Sequence, residues 1–141
     1  MAALTEPALP PQVTVRGVPP PGFPTEPNTT AEVGGATALW LGPDEWLVLG
    51  ATEADFPDAA AAVDVSANRV AFDLAGDGAA ATLAQGCSLD LENLRPGRCA
   101  QTLLARAQVI LYRPDPETWR ILVRPSFAAY LRSWLEDANH G

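Results

Sequence analysis

Apolar and polar positions alternate in short runs along the chain, and proline, glycine or small polar residues break each run. Ala38-Leu39-Trp40-Leu41 has the character of an apolar strand. Gly42-Pro43-Asp44-Glu45 carries turn chemistry, with proline setting φ and aspartate able to bond the local backbone. Trp46-Leu47-Val48-Leu49 is a second apolar strand, so the stretch predicts a hairpin. Val63 and Val65 share a face, as do Val70, Phe72 and Leu74, and Ser66-Ala67-Asn68 between them predicts a bend. Cys99 to Tyr112 predicts two strands that bend at Ala105-Arg106-Ala107. A turn over Pro114-Asp115-Pro116-Glu117 follows, and then Trp119, Ile121 and Val123 alternate with Arg120, Leu122 and Arg124.

Three stretches predict helices. Asp55 is placed to cap the first, with Pro57 in its first turn and alanines running to about Ala62. Asp77 is placed to cap the second, over Ala79 to Gln85, with Gly86 as its stop. The third has Ser126 as its cap and a single stripe of Phe127, Tyr130, Leu131, Trp134, Leu135 and Ala138. Its polar face carries Glu136 and Asp137, which suits packing on a core rather than on a membrane surface.

An internal echo ties these elements together. Leu39 to Leu49 and Leu111 to Val123 both read as apolar strand, Pro-Asp turn with a following glutamate, tryptophan-led strand, then helix. The expected fold class is α+β, a pseudo-twofold antiparallel sheet with helices packed on one face. Upstream, residues 1–35 hold eight of the fourteen prolines and predict an extended, polyproline-like arm ahead of a single domain over residues 36–141. Within the arm, Val13-Thr14-Val15-Arg16 alternates and suits a sheet edge. Nearly every strand residue of the first hairpin is apolar, and so is Val109-Ile110-Leu111-Tyr112. Both hairpins therefore call for burial on two faces, where a lone antiparallel sheet leaves one face polar.

Composition narrows the chemistry. The formal net charge is −8, with nine arginines and no lysine. No two basic residues are adjacent, which disfavours nucleic acid and anionic membranes as partners. The missing lysine excludes a Schiff-base or phosphate-loop lysine. No apolar run approaches the roughly 18 residues of a membrane span, and the N-terminus lacks the pattern of a secretory signal, so the expected compartment is the cytoplasm. Cys87 and Cys99 fit no zinc or redox spacing, and His140 is the lone histidine, beside the C-terminal residue. A triad has no base to build on. The carboxylate pairs Asp44/Glu45, Glu53/Asp55, Asp115/Glu117 and Glu136/Asp137 all fall in predicted turns or at helix ends, where capping and solvation account for them. The Gly76-Asp77-Gly78 pair lacks the third glycine of a dinucleotide fingerprint. No catalytic, cofactor-binding or metal-ligating residue is expected in the chain.

An ordered set of segments carries a family resemblance. It comprises Leu39-Trp40-Leu41-Gly42-Pro43-Asp44-Glu45-Trp46-Leu47, Val63-Asp64-Val65-Ser66-Ala67-Asn68-Arg69, Cys87-Ser88-Leu89-Asp90-Leu91, Gly97-Arg98-Cys99-Ala100-Gln101-Thr102 and Arg124-Pro125-Ser126-Phe127-Ala128-Ala129-Tyr130-Leu131. Together, over about residues 37–138, these resemble the gamma subunit of heterotetrameric sarcosine oxidase. More distantly, the Asp64-Val65-Ser66 strand and the Gly-Asp-Gly-Ala helix start are similar to the folate-binding domain of aminomethyltransferases. One departure is upstream: Val15-Arg16-Gly17 runs through prolines to Pro27-Asn28-Thr29 where family members place a helix. The resemblance implies a non-catalytic structural subunit assembled with alpha, beta and delta subunits. The complex it implies oxidatively demethylates sarcosine to glycine, with hydrogen peroxide and formaldehyde or 5,10-methylenetetrahydrofolate as co-products. FAD, FMN, NAD, zinc and tetrahydrofolate are then expected in the partner subunits. The alternative is an independent folate-binding, one-carbon-transfer domain, for which Asp64 or Glu45 is the carboxylate to hold a pterin. Fold similarity alone does not transfer folate binding.

Overall fold

The computed structural model describes residues 1–140. They form strands β1 (Ala3–Thr5), β2 (Gln12–Arg16), β3 (Thr30–Val33), β4 (Ala36–Gly42), β5 (Glu45–Leu49), β6 (Ala61–Asp64) and β7 (Val70–Ala75), and then helix α1 (Ala79–Ala84). Strands β8 (Cys99–Leu104), β9 (Ala107–Asp115) and β10 (Thr118–Val123) and helix α2 (Pro125–His140) complete the chain. The fold is α+β with antiparallel pairing throughout, and the strands divide over two five-stranded sheets. The chain separates into two compact units, Leu9–Ala67 and Met1–Ala8 with the chain from Asn68 onward.

In the unit Leu9–Ala67 the strand order is β3-β4-β5-β2-β6. Val13 and Val15 on β2, Ala38 on β4, and Trp46 and Val48 on β5 point to one face and are buried. No α-helix covers them. The proline-rich stretch between β2 and β3 folds back instead, and Phe23 meets Trp46 edge-on at 5.8 Å and Phe56 at 5.6 Å. The Trp46 indole N–H donates to the Pro24 carbonyl at 2.7 Å, so a buried donor is satisfied by the covering loop itself.

This corrects two expectations. The segment over residues 1–35 is no extended arm, since it supplies β1, β2 and β3 as well as part of a core. Val13 to Arg16 is an interior strand rather than an edge, flanked by β5 and β6. A third correction follows from the second. The alanine-rich stretch predicted as a helix from Asp55 is a short 3-10 turn, Glu53–Asp55, followed by strand β6. The Asp55 carboxylate accepts the Thr52 N–H at 2.8 Å, closing that turn rather than opening a helix. Ala61 and Ala62 then pair with Arg16 and Val15. Alanine's helix preference is a fraction of a kcal/mol per residue, and a ladder on an open strand edge outweighs it.

In the other unit the order is β1-β7-β10-β9-β8. Phe72 and Leu74, Trp119, Ile121 and Val123, and Val109 and Leu111 form the core face of this sheet. Leu83 from α1 and Leu131 and Leu135 from α2 pack on it. Asn139 clamps the N-terminus, donating Nδ2–H to the Ala2 carbonyl at 2.8 Å and accepting the Ala2 N–H at 3.2 Å. The predicted stripe on α2 is split by depth. Leu131, Leu135 and Ala138 are buried, while Phe127 and Tyr130 remain exposed.

The predicted N-caps of α1 and α2 both differ from expectation. α1 is entered through Gly78 in the left-handed region, φ 88°, with no side chain capping it, so Asp77 does not take the predicted role. α2 begins at Pro125, one residue before the predicted cap Ser126, because proline's fixed φ suits a first helical position. Gly86, the predicted stop, follows α1 and has no room for a side chain. A Cβ there would lie 2.5 Å from the Trp134 ring and 3.0 Å from the Ala105 nitrogen.

The two units repeat one strand topology. In each, a first strand (β2 or β7) pairs with the last strand of a three-stranded meander (β3-β4-β5 or β8-β9-β10). The echoed hairpins β4-β5 and β9-β10 are these equivalents, and each carries a register shift close to its turn. The fifth strand differs in origin: β6 follows its own meander, whereas β1 comes from the far N-terminus.

Two substitutions test this packing. Trp46→Phe should lower unfolding free energy by about 1–3 kcal/mol, the cost of stranding the buried Pro24 carbonyl, measured by urea titration. Gly86→Ala should cost about 1–3 kcal/mol through overpacking against Trp134, with the tryptophan emission shifting as that ring is displaced.

Candidate functional site

On the sheet that carries both helices, the face opposite them is the chemically varied one. Register places Asp73 on β7 beside Arg120 on β10, and Arg120 beside Tyr112 on β9. Arg120 donates from Nε and Nη2 to the two Asp73 oxygens, both at 2.9 Å, and from Nη1 to the Tyr112 hydroxyl at 3.3 Å. The paired geometry raises the Arg120 pKa further above its ordinary value, chiefly through the Asp73 hydrogen bonds. Each charge is matched in place, so the trio fastens three strands and offers neither a free base nor a free acid. Its sequence signal was one aspartate in Val70–Ala75 and one arginine in Thr118–Val123, opposite charges within otherwise apolar strands.

Further along the same face, toward β8 and the start of α2, lies a groove of about 600 Å³. Ile110 and Leu122 form part of its floor. Arg69, Arg106 and Arg124 line it together with Leu103 and Phe127, and no aspartate or glutamate does. Composition could not reveal this grouping, because the three arginines are far apart in sequence and never adjacent to another basic residue.

The carboxylates singled out from the sequence are mostly engaged locally. Glu45 is half-buried and pairs with Arg16 at 3.2 Å. Asp64 is exposed and accepts the Ser66 hydroxyl at 2.6 Å and the Ser66 N–H at 2.9 Å. These bonds hold its carboxyl below the ordinary range, the hydroxyl contributing most. Glu45 and Asp64 sit opposite Arg16 and Val13, at the two ends of β2, so they do not converge on one site. Glu53 Oε1 accepts the Asp64 N–H at 2.8 Å. Asp115 accepts the Glu117 N–H at 2.8 Å and the Thr118 hydroxyl at 3.1 Å, closing the β9-β10 turn. Glu136 and Asp137 lie exposed on α2, and His140 is exposed at its end. Cys87 and Cys99 are buried free thiols. Among the described residues no three histidine, cysteine, aspartate or glutamate side chains group as a metal site, and no helix is long and apolar enough to cross a membrane.

The model of the sarcosine oxidase gamma subunit family matches residues 24–141. The chain belongs to this family. Sarcosine oxidase subunit gamma of Corynebacterium sp. (strain U-96) is 35% identical over 122 residues, which is 79% of this chain and 60% of the relative. The subunit gamma of an Arthrobacter sp. is 33% identical over 127 residues, covering 79% and 63%. The chain thus spans about three-fifths of the length of the curated relatives it matches. Among solved structures, a chain of the heterotetrameric sarcosine oxidase from Corynebacterium sp. U-96, in complex with pyrrole 2-carboxylate, superposes with a TM-score of 0.86 at 31% identity. That match covers 99% of this chain and 84% of the other. Membership of the gamma subunit family therefore rests on sequence and on fold together.

The acidic side of stability can be checked directly. Glu6 is held below its ordinary pKa by hydrogen bonding from Arg132, and Asp64 by Ser66. For a carboxyl depressed in the folded state, the stabilisation is present above its unfolded value and is lost as pH falls through the folded one. The urea midpoint should hold between pH 7 and 5 and fall below about pH 4. Both groups are exposed, so the effect is modest. A double Glu6→Gln, Asp64→Asn variant should show a shallower fall over that window; an identical slope would remove these two groups as its source.

Proposed function

We propose that this chain is a non-catalytic, structural gamma subunit of a cytoplasmic heterotetrameric sarcosine oxidase, assembled with alpha, beta and delta subunits. The reaction assigned to the complex is oxidative demethylation of sarcosine to glycine with formation of hydrogen peroxide. The one-carbon unit leaves as formaldehyde or as 5,10-methylenetetrahydrofolate. The observation that carries this reading is the superposition over 99% of the chain on a heterotetrameric sarcosine oxidase chain, at 31% identity.

The chemistry of the side chains supports a structural role. Asp73, Arg120 and Tyr112 are tied to one another, and Glu45, Asp64 and Asp115 each have a local partner. General acid–base work calls for a titratable group poised in a pocket near a reacting atom. The groove described above is lined by arginine, amide, hydroxyl and apolar side chains, and by no carboxylate, histidine or thiol. Among the described residues the thiols and carboxylates do not group as a donor set for zinc. FAD, FMN, NAD, zinc and tetrahydrofolate are accordingly assigned to the partner subunits, and no step of the reaction is placed on this chain.

Co-expression tests the reading. With the alpha, beta and delta subunits, the chain should purify in one stable complex that oxidises sarcosine. His140→Ala in that complex should leave kcat unchanged, since the side chain lies at the exposed end of α2. A tenfold loss, about 1.4 kcal/mol of barrier, would place the tail in an active site. A chain that is monodisperse alone and is not retained by those subunits would overturn the assignment.

A further inference from the structure

Arg69, Arg106 and Arg124 stand out against the charge of the whole chain. The net charge is −8, yet three of the nine arginines line one groove that holds no carboxylate. Among the described residues, Arg106 and Arg124 enter no ion pair, whereas Arg16, Arg120 and Arg132 each have an acidic partner. Both side chains belong to exposed residues. The groove also reaches the start of α2, a sixteen-residue helix with no acidic residue in its first turn. The positive end of the helix dipole is therefore left uncompensated by its own sequence, and it adds to the arginine field.

The groove is also apolar. Leu103 is 53% exposed and Phe127 43% exposed, both unusually open for large apolar side chains, and both line the same depression as the arginines. A bare inorganic anion would use the charges and leave these two side chains wet. An extended chain segment that carries carboxylates and an apolar side chain between them would use both sets. β8, which provides Gln101 and Leu103 to the groove, is the outermost strand of its sheet, so a segment can lie alongside it.

We propose that this groove is a docking surface for a carboxylate-bearing, apolar-anchored segment of another protein chain, with Arg106 and Arg124 binding the carboxylates and Leu103 and Phe127 packing on the apolar residue. Charge complementarity selects this occupant: guanidinium forks match carboxylates two bonds at a time, and the groove has no acid to repel them. The inference concerns the groove itself and stands independently of which complex the chain enters.

The experiment uses the full chain and a blocked five-residue peptide of alternating glutamate and leucine as the probe, followed by backbone NMR at low ionic strength. Expected are shifts confined to residues 101–110 and 122–127, weakening as salt screens the charges. Arg106→Glu with Arg124→Glu should weaken binding at least tenfold. The control Arg95→Glu with Arg98→Glu, exposed arginines outside the groove, should not. Circular dichroism of each variant confirms that it folds. Inorganic phosphate forms a separate arm: binding as tight as the peptide's would overturn docking in favour of a simple anion site. Absence of groove shifts at millimolar peptide, or equal loss in the control, would also overturn it. Within the co-expressed complex the groove variant should be lost at lower salt than wild type. A wild-type chain not retained at all would count against the proposed function and leave the peptide titration to decide the groove.

Discussion

A sheet with an apolar face has to be covered, and in the unit Leu9–Ala67 no α-helix exists to cover it. That constraint organises this half of the molecule. The chain meets it by folding the proline-rich stretch after β2 across the face and fixing it through one buried bond, from the Trp46 indole to the Pro24 carbonyl. Phe23, stacked edge-on between Trp46 and Phe56, turns that single polar contact into a small aromatic core. Proline suits the role because a covering loop is left with few backbone donors to satisfy and loses less entropy on ordering. β2, from which this stretch departs, lies inside the sheet and pairs with both β5 and β6.

The other unit solves the same problem with helices. After its first strand, β7, the chain forms α1 and a short 3-10 turn at Leu91–Asn93 before entering its meander, and α2 follows the meander. One strand topology is thus dressed twice, once with helices and once with a loop. Close packing in the helical version depends on what is absent at Gly86, where the Trp134 ring occupies the space of a side chain. Its sheet is completed by β1 from the distant N-terminus, held by Asn139 and by the Glu6–Arg132 pair.

Arginine does three kinds of work in this acidic chain. Arg120 is locked to Asp73 inside a sheet, and Arg113 stacks over Trp119 at 4.2 Å, so both are parts of the packing. Arg16 and Arg132 make pairs that are more open to water and therefore weaker. Arg106 and Arg124 form a third set, outside any ion pair among the described residues and beside exposed apolar side chains. Such a surface is costly for an isolated protein to keep and is best understood with a partner upon it.

Local pattern alone determined the hairpins at residues 38–49 and 107–123, the α2 stripe and the family motifs, because strand alternation, turn residues and helical spacing are short-range signals written in neighbouring residues. The single histidine and the absence of lysine were equally legible, being a matter of counting. Other features depended on the tertiary structure. Ala61–Asp64 became a strand because β2 offered an open edge, a fact about residues almost fifty positions away. Pro24 lies buried against a core where its carbonyl accepts the Trp46 indole N–H. Arg69, Arg106 and Arg124 came to line one groove because the sheet placed the start of β7, the β8-β9 turn and the end of β10 close together. Propensity is worth fractions of a kcal/mol per residue, whereas a buried donor, an open ladder or a shared groove exists only once distant segments meet.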